Sequence, residues 1–505
     1  MIIQYAFSIN NGIDTQFYGG ASISFSECLA SDGRSDYILT AMKHIDLSRL
    51  FDPRKLLIVG ASDQKLFSAG IARYLFEHGF AERVTLVNAK GNSVFGRATH
   101  TTIASAASEG PFDLAIIVVA APHIERSVEQ LAAIGVKLAI VESAGFAETG
   151  AEGAARQASL KAKAEALGIR LLGPNCVGVV DTRSRFSSTE VQEESLRRGG
   201  VALIAQSGVF GSILLDWAPY NGLHLSKAIT LGNRIDLDEA DFLYFLADDP
   251  DTRVVALYLE GVGDGPKFMD AVRTCAARKP VVVLKGGVTD AGAKAVGSHT
   301  ASLAGSDAVF AGALAQAGGI RARSLEHLTD LAAAFDHCPL PKGLNVAMVT
   351  TSGSQGILAT DTIVAAGLRL ATLSPETIAK VQAVAPAWMT VGNPLDVGPS
   401  GVYNIALDAL LDDPQIDALL VLIAIPWGAV APFVGSGVGM EQMIFHDLAK
   451  VRAKAQEMPI LVAHIGHPRF VKMTEEAVGD FLPVYPNAER AAAALAAMAN
   501  FRKAE

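Results

Sequence analysis

The stretch KLLIVGAS at residues 55–62 decides the fold of this chain. It is an apolar run of strand length that ends in a glycine, and residues 68–75 follow with apolar side chains at helical spacing. Residues 83–88, RVTLVN, then have the composition of a second strand. Parallel strands need a long crossover, which is usually a helix, so this order predicts a parallel β-α-β unit.

The same alternation continues on the C-terminal side of this unit. The runs DLAIIVVAA at 113–121 and KLAIVE at 137–142 have the composition of strands buried on both faces, with a helical segment at 124–134 between them. The run RLLG at 170–173 closes the set. These residues predict a doubly wound parallel sheet of Rossmann type, whose ligands bind at the carboxyl ends of the strands.

Two further α/β units follow a polar, charged connector at residues 183–200. The predicted organisation is an N-terminal extension at 1–45, a Rossmann-like domain at 46–185, and two parallel-sheet domains at 195–338 and 339–505. The extension mixes Gly, Ser, Asn and aromatic residues without a clear period. The strands predicted in the two later units are 201–205, 227–231, 254–259 and 280–285, then 345–350, 418–425, 460–465 and 483–485.

Composition excludes several classes of protein. The 505 residues are 50% hydrophobic, which is enough for about three domains, and the net charge of -10 supplies no basic field for nucleic acid. The apolar runs are shorter than the roughly 20 residues of a membrane-spanning helix. The four cysteines are far apart and form no CxxC pair, so neither a disulfide framework nor a zinc site is indicated. We therefore expect a cytoplasmic protein with no nucleic-acid or membrane partner.

Gly60, Ala61 and Ser62 form a strand-to-helix turn that admits two interpretations. It is either a plain tight turn or a nucleotide-binding turn, since the full GxGxxG spacing is missing. No acidic residue ends the second strand, where a ribose diol would need one; Asn88 and Lys90 lie there instead. An amide and an ammonium group suit a phosphate better, which favours a phosphorylated ligand over NAD.

Two loops with the pattern Ser-Gly-x-x-Gly each follow a strand and open a helix. They are QSGVFG at 206–211, with Ser207 and Gly208, and TSGSQG at 351–356, with Ser352 and Gly353. Glycines expose backbone amides and a helix start carries partial positive charge, so each loop is a candidate phosphate site. Each loop taken alone is also compatible with an ordinary helix cap.

The segment KAVGSHTASLAGSD at 294–307 sets His299 among small, flexible residues. The residues around it favour a turn, and 303–317 read as a helix, so the sequence predicts that His299 lies in a loop. Imidazole can act as a base, a metal ligand or a nucleophile. The alternative is an ordinary surface histidine.

Together these pieces resemble a known family. Residues 46–505 resemble the α subunit of NDP-forming (ADP-forming) acyl-CoA synthetases, members of the succinyl-CoA synthetase superfamily. The matching stretches come in the family's order. They are GASD at 60–63, SAGFAETG at 143–150, RLLGPNCVGVV at 170–180, AQSGVFGSILLDWA at 205–218, the run from TLGNRID at 230 to LEGV at 262, GSHTASLAGSD at 297–307 and GNPLDVG at 392–398.

The resemblance implies the fold and the site residues. It implies a Rossmann-like CoA-binding domain followed by two flavodoxin-like CoA-ligase domains, with His299 transiently phosphorylated and Glu260 as the carboxylate partner of this histidine. The helices at Ser207–Gly208 and Ser352–Gly353 would point at the phosphate. The CoA contacts would come from Gly60, Ala61, Ser62, Lys90 and Asn175. No metal is expected on this chain, and we interpret Cys176 as a small buried hydrophobe rather than a nucleophile.

The resemblance also implies a reaction and a partner. An acyl-CoA, formed from a small carboxylic acid, would react with phosphate to give an acyl phosphate, then phosphohistidine, then ATP from ADP, in either direction. No stretch resembles an ATP-grasp domain, so an ATP-grasp β subunit carrying ATP or ADP with Mg²⁺ is expected, in an α2β2 assembly. Two alternatives remain, a non-catalytic CoA-binding regulator or scaffold and an NAD-dependent oxidoreductase. The acid, the choice of ADP or GDP and the direction stay open.

Overall fold

A computed structural model describes residues 46–300, 306–434 and 445–501, with the exception of the side chains of residues 66, 67, 297–300 and 433. The N-terminal extension predicted at 1–45 lies outside the described residues, as do residues 301–305 of the histidine segment. Within the described part, no helix is long and apolar enough to cross a membrane.

The first domain is a five-stranded parallel sheet. Its strands lie in the order β2-β1-β3-β4-β5. The chain therefore adds β2 on one side of β1 and then adds β3, β4 and β5 on the other side, so the strand order switches between β1 and β3. Strands β1, β3 and β4 are buried along their whole length because helices cover both faces of a parallel sheet. The strands are β1 Leu56–Val59, β2 Val84–Val87, β3 Leu114–Ile117, β4 Leu138–Val141 and β5 Arg170–Leu172, and the helices are α1 Leu66–Glu77, α2 Ile103–Ala106, α3 Ile124–Ala133 and α4 Ala151–Leu167.

The second domain has a seven-stranded sheet in the order β12-β11-β10-β8-β9-β6-β7. Its strands are β6 Val179–Asp181, β7 Phe186–Ser187, β8 Val201–Ala205, β9 Leu225–Thr230, β10 Val254–Leu259, β11 Val281–Lys285 and β12 Ile320–Ala322. Its helices are α5 Gly208–Trp217, α6 Glu239–Asp248, α7 Gly265–Ala276, α8 Asp290–Thr300, α9 Asp307–Gln316 and α10 Leu325–His337.

The two edge strands β6 and β7 differ from the rest of this sheet. Strand β6 pairs antiparallel with β9, and β7 pairs antiparallel with β6. Both include residues that the sequence pattern assigned to the first domain or to the connector. The chain therefore passes from the first sheet to the second between Leu172 and Val179, a crossing that apolar runs alone do not reveal.

The third domain is a six-stranded parallel sheet in the order β14-β13-β16-β17-β18, with β15 also paired to β13. The strands are β13 Asn345–Thr350, β14 Arg369–Leu370, β15 Leu395–Asp396, β16 Ala418–Ile423, β17 Ile460–His464 and β18 Val484–Tyr485. The helices are α11 Gly353–Ala365, α12 Pro375–Gln382, α13 Tyr403–Leu411, α14 Trp427–Val430, α15 Leu448–Lys454, α16 Pro468–Val478 and α17 Ala488–Asn500. Helix α17 packs against α10 of the second domain, where Arg490 forms two hydrogen bonds of 2.7 Å with Asp330.

These three α/β domains, whose sheets are parallel apart from the edge strands β6 and β7, confirm the predicted fold class. The local prediction at His299 was wrong, because helix α8 runs from Asp290 through Thr300 and includes its backbone. Three alanines, at 291, 293 and 295, are strong helix formers, and they outweigh the turn preference of the small residues that follow. The helix predicted at 303–317 is α9, which begins at Asp307.

Candidate functional site

The carboxyl ends of strands from the first and second sheets face a shared cleft of about 480 Å³. In parallel α/β sheets this edge is where ligands bind. Among the described residues that line the cleft there is no lysine or arginine. The lining consists of Val118, Glu142–Ala144, Asn175–Val177, Gln206–Val209, Gly232 and Asn233.

Gln206 fixes the position of Glu260 from the neighbouring strand. Gln206 follows β8 and Glu260 follows β10, and these two strands pair in parallel. The Gln206 Oε1 atom accepts the backbone N–H of Glu260 at 2.7 Å and that of Gly261 at 3.2 Å. Both side chains are buried, at 2% and 4% exposure. The predicted catalytic carboxylate is thus held on a rigid strand end, directly beside the first Ser-Gly loop.

Tyr258 adds a second contact to Glu260. Its hydroxyl donates to Glu260 Oε1 at 3.4 Å, and its ring packs on Phe210 with centroids 4.4 Å apart. Burial and the neighbouring carboxylate raise the pKa of Tyr258 to about 12, so the hydroxyl keeps its proton near neutral pH. Tyr258 therefore remains a hydrogen-bond donor toward Glu260.

Ser207 and Gly208, which the sequence predicts to bind phosphate, both line the cleft. Ser207 is the N-cap of α5, and its side chain accepts the backbone N–H of Phe210 at 3.4 Å. A Cβ atom on Gly211 would come within 2.6 Å of Thr230, so this glycine lets the first turn of α5 lie close to β9. The backbone amides and positive end of α5 suit an anion.

Asn175 joins the first domain to the second. Its backbone has a φ of 60°, in the left-handed region, and its N–H donates to the Ser143 carbonyl at 3.1 Å. Its side-chain amide donates to Asn233 Oδ1 at 3.3 Å, and Asn233 in turn donates to Glu148 at 2.7 Å. The amide of Asn175 is thereby held at the wall of the cleft.

Cys176 is buried, as we expected of a small hydrophobe. Its thiol lies 3.5 Å from the carbonyl of Val141, and burial, together with nearby Glu142, raises the pKa of the thiol well above its usual range. The thiolate is the nucleophilic form, so this environment disfavours a covalent role.

The turn of Gly60, Ala61 and Ser62 lies at the point where the first sheet reverses its strand order. Gly60 has a φ of 92°, and a Cβ atom there would come within 3.2 Å of the backbone of Val118, which lines the cleft. The Asn88 side chain donates to the Ala61 carbonyl at 2.8 Å, and its Oδ1 accepts the N–H of exposed Lys90 at 2.8 Å. These predicted CoA contacts therefore form one group beside the cleft.

The structure does not bring Ser352 and Gly353 to this cleft, since neither is among its lining residues. They begin α11 in the third domain, where a Cβ atom on Gly353 would come within 2.7 Å of the Asp396 carboxylate. The second predicted phosphate loop therefore has an acidic side chain next to its helix start. Asp396 belongs to the GNPLDVG stretch, but its carboxylate was not predicted to lie at the loop.

The helix that carries His299 adjoins the same site, although the side chains of 297–300 lie outside the described residues. The backbone of α8 lies against the turn Ala147–Thr149 of the first domain. The chain enters α8 through Gly286, where a Cβ atom would be 3.7 Å from Glu260 Cγ. The route into α8 therefore passes beside Glu260.

Three residues of the site were not singled out by the sequence pattern. Gln206 and Asn233 lie inside quoted motifs, but their bridging hydrogen bonds depend on which strands are neighbours. Glu142 ends a predicted strand, and its burial is a tertiary effect. Within the described residues, no group of three or more His, Cys, Asp or Glu side chains could hold a metal ion.

Comparison with known families agrees with this geometry. Residues 54–182 match a CoA binding domain profile, 198–335 a succinyl-CoA ligase like flavodoxin domain, and 346–505 a Ligase-CoA domain. A structure of the "dinucleotide forming" acetyl-coenzyme A synthetase 1 of Ca. Korarchaeum cryptofilum, in complex with phosphate and ADP, superposes with a TM-score of 0.80. It is 30% identical, over 90% of this chain and 96% of that one.

Curated relatives extend over most of the chain. Subunit alpha of the ADP-forming acetate–CoA ligase I of Pyrococcus furiosus is 31% identical over 91% of this chain and 98% of its own length. The alpha subunit of the second P. furiosus enzyme is 35% identical over 75% of this chain and 83% of its own length. The ADP-forming acetate–CoA ligase I of Archaeoglobus fulgidus is 37% identical over 75% of this chain, a match that spans 55% of that longer relative. The chain belongs to the family of ADP-forming acyl-CoA synthetase α subunits, within the succinyl-CoA synthetase superfamily.

Proposed function

We propose that this chain is the α subunit of an acid–CoA ligase that interconverts a small carboxylate, CoA and ATP with acyl-CoA, ADP and phosphate. The observation that carries the proposal is the pairing of Gln206 with Glu260. It holds a buried carboxylate next to Gln206, which lines the cleft together with Asn175 and the helix start at Ser207–Gly208. A protein that only bound CoA would not need this arrangement.

The first step takes place at the helix start. Phosphate binds to the amides of Ser207 and Gly208, where the positive end of α5 takes the place of a lysine or arginine, neither of which is present in the described lining. A phosphate oxygen attacks the thioester carbonyl, the C–S bond breaks, and the products are an acyl phosphate and free CoA. Asn175, held by Asn233, orients the carbonyl through its side-chain amide.

The second step transfers the phosphoryl group to His299. A ring nitrogen attacks phosphorus, the P–O bond to the acyl group breaks, and the carboxylic acid leaves as a carboxylate. The other ring nitrogen donates to Glu260, which fixes the tautomer. Support comes from the path of the chain, since Gly286 leads past Glu260 into the helix that carries His299.

CoA reaches the cleft along the first domain. We assign its phosphates to the turn Gly60–Ser62 and to the exposed Lys90, which supplies a positive charge next to that turn. Ser352 and Gly353 are assigned a later role, as a second helix start for the phosphohistidine. The Asp396 carboxylate beside Gly353 would have to move away before an anion could bind there.

The nucleotide is proposed to bind on a partner. Relatives of this chain are named as alpha subunits, which supports a separate β subunit. We propose that it is an ATP-grasp protein that binds ATP or ADP with Mg²⁺, that the assembly is α2β2, and that it works in the cytoplasm. The unpaired cysteines Cys176, Cys275 and Cys338 are compatible with a reducing compartment.

One labelling experiment tests the chain without its partner. Incubation with acetyl-CoA and ³²P-phosphate should place an acid-labile label on the wild-type chain. His299→Ala should abolish the label, whereas the exposed His446→Ala is the matched control and should keep it. Glu260→Gln should reduce the labelling rate about 10- to 100-fold, the usual cost of losing the group that orients a histidine.

Two outcomes would contradict the proposal. A wild-type chain that binds CoA but takes no label from acetyl-, butyryl- or aryl-acyl-CoA would favour the regulator or scaffold. A chain that makes ATP from ADP by itself would exclude the proposed β subunit. We expect the label to remain on the chain when ADP is added, until an ATP-grasp subunit is supplied.

A further inference from the structure

Glu142 is a buried carboxyl without a partner in the wall of the cleft. It follows β4 directly and is 9% exposed. Both carboxylate oxygens are shielded from solvent, and neither has a hydrogen-bond partner. A buried polar group in this condition costs free energy, so a native protein that keeps one needs a reason for it.

The surroundings of Glu142 favour the uncharged form of its carboxyl. The described lining of the cleft has only one other titratable side chain, the thiol of Cys176, and it includes no lysine, arginine or histidine. A Cβ atom on Gly178 would lie 3.5 Å from Glu142 Oε1, so the carboxyl sits under the loop that carries Asn175 and Cys176. Burial raises the pKa of Glu142 well above its usual range. Burial therefore favours the protonated form of Glu142, which is the form that can act as an acid.

We propose that Glu142 carries the proton between the phosphate and the CoA sulfur in the first step of the reaction. This inference rests on the proposed function and deepens it, since it names the residue that protonates the sulfur in the thioester step. A thiolate is more basic than the attacking phosphate, so the tetrahedral intermediate would expel phosphate in preference to sulfur, and a proton delivered to the sulfur favours cleavage of the C–S bond. Glu142 is an acidic side chain in the cleft wall that can supply this proton.

Every proton that moves in the proposed step has a donor and an acceptor within the cleft. Hydrogen phosphate attacks the thioester carbon, a C–O bond forms, the C–S bond breaks, and the Glu142 carboxyl gives its proton to the departing sulfur. The products are the singly protonated acyl phosphate, CoA thiol and the Glu142 carboxylate. The acyl phosphate then returns its remaining proton to Glu142. The reverse sequence takes the thiol proton when CoA attacks an acyl phosphate.

Electrostatics favours this direction of transfer. Phosphate brings two negative charges into a cleft without lysine or arginine in its described lining, so an ionised Glu142 beside it would be repelled. The Glu142 carboxylate therefore exists only briefly and is reprotonated by the acyl phosphate. Because the carboxyl lies beneath the cleft surface, contact with the sulfur requires a change in the Glu142 rotamer.

The test compares two ways of labelling His299 in the Glu142→Gln variant, whose side chain has the same size but holds no transferable proton. Labelling from acetyl-CoA and ³²P-phosphate includes the sulfur step, whereas labelling from ³²P-acetyl phosphate omits it. We expect the first rate to fall about 10²- to 10⁴-fold, the usual contribution of a positioned acid, and the second to stay within twofold of wild type. The exposed Glu165→Gln is the control and should match wild type in both assays.

Other results of these two assays would contradict the role of Glu142 or the proposed function. Equal losses in both assays, or an unchanged rate from acetyl-CoA, would overturn the role of Glu142. A wild-type chain that takes label from neither donor would overturn the proposed function and this inference with it. The pH profile is a second readout. The wild-type rate from acetyl-CoA should fall as the pH rises through the pKa of Glu142, whereas the residual rate of Glu142→Gln should lack this limb.

Discussion

The side chain of Gln206 holds the backbone of Glu260, with Oε1 accepting the N–H groups of Glu260 at 2.7 Å and Gly261 at 3.2 Å. Two strand ends of one sheet are joined by a single amide. The contact positions a buried carboxylate and the start of α5 relative to each other, so we expect the proposed phosphate site and the proposed histidine partner to behave as one unit. If Glu260 acts by orienting another side chain, its effect should be sensitive to small changes in the contact with Gln206.

Gln206→Ala should lower both stability and phosphorylation. The variant leaves two buried backbone N–H groups without an acceptor, which costs about 2–4 kcal/mol. We expect a lower urea midpoint by circular dichroism and a reduced rate of His299 labelling. The exposed Gln316→Ala should leave the midpoint unchanged. Normal labelling in Gln206→Ala would show that Glu260 does not depend on Gln206.

The Gln206→Glu variant separates the structural role of residue 206 from the effect of charge on phosphate binding. A carboxylate in this position still accepts both N–H groups, so the unfolding midpoint should stay closer to wild type than in Gln206→Ala. The added negative charge lies beside Glu260 and the phosphate site, and repulsion should reduce labelling from acetyl-CoA. A variant with normal stability and normal labelling would contradict the proposed phosphate site at Ser207.

His464 should make the third domain sensitive to acid. It is 1% exposed, its Nδ1 lies 2.7 Å from Thr474 Oγ1, and burial lowers its pKa to about 4. The unfolded chain takes up a proton near pH 6.5 and the folded chain only near pH 4, so stability is lost as the pH falls between these values. The loss approaches about 3 kcal/mol at pH 4.

Urea unfolding at pH 7.5 and pH 5 measures this effect. His464→Gln should remove most of the difference in free energy of unfolding between the two pH values, because glutamine does not titrate. The exposed His446→Gln should retain the wild-type difference. If His464→Gln keeps the full difference, the acid sensitivity comes from other groups.

Cys176 should be dispensable for chemistry. Its thiol is buried against the carbonyl of Val141, and its raised pKa disfavours the thiolate. Cys176→Ala should therefore keep the rate of His299 labelling within about threefold, with a cost of about 1–2 kcal/mol for the lost packing. Slow modification of wild-type Cys176 by a thiol reagent would agree. A loss of labelling of a hundredfold or more would assign the thiol a catalytic role.

The sequence was sufficient for features that depend on local patterns. Buried strands read as continuous apolar runs, so KLLIVGAS located β1, whose end lies beside the cleft, and VALIAQSG located β8, whose end lines it. Features that depend on tertiary neighbours were not predictable. The Asp396 carboxylate lies next to Gly353 because β15 pairs with β13, and Glu142 is buried because the loop that carries Asn175 lies over it. The backbone at His299 was also not predictable from its immediate neighbours. Those neighbours favour a turn, but the alanines that precede them extend helix α8 through His299.

Gly232 lies where a loop of the second domain closely approaches the loop that carries Asn175. Its φ is 60°, and a Cβ atom there would come within 2.2 Å of the carbonyl of Pro174 and 2.6 Å of that of Asn175. Gly232→Ala therefore forces the loop of Asn175 away from Asn233, with a cost of several kcal/mol from backbone strain and overlap. We expect a lower melting temperature and weaker binding of CoA by calorimetry. Gly263→Ala is the matched control, because a Cβ atom there meets nothing within 4 Å. Tight CoA binding in Gly232→Ala would mean that the cleft does not require this contact between the two loops.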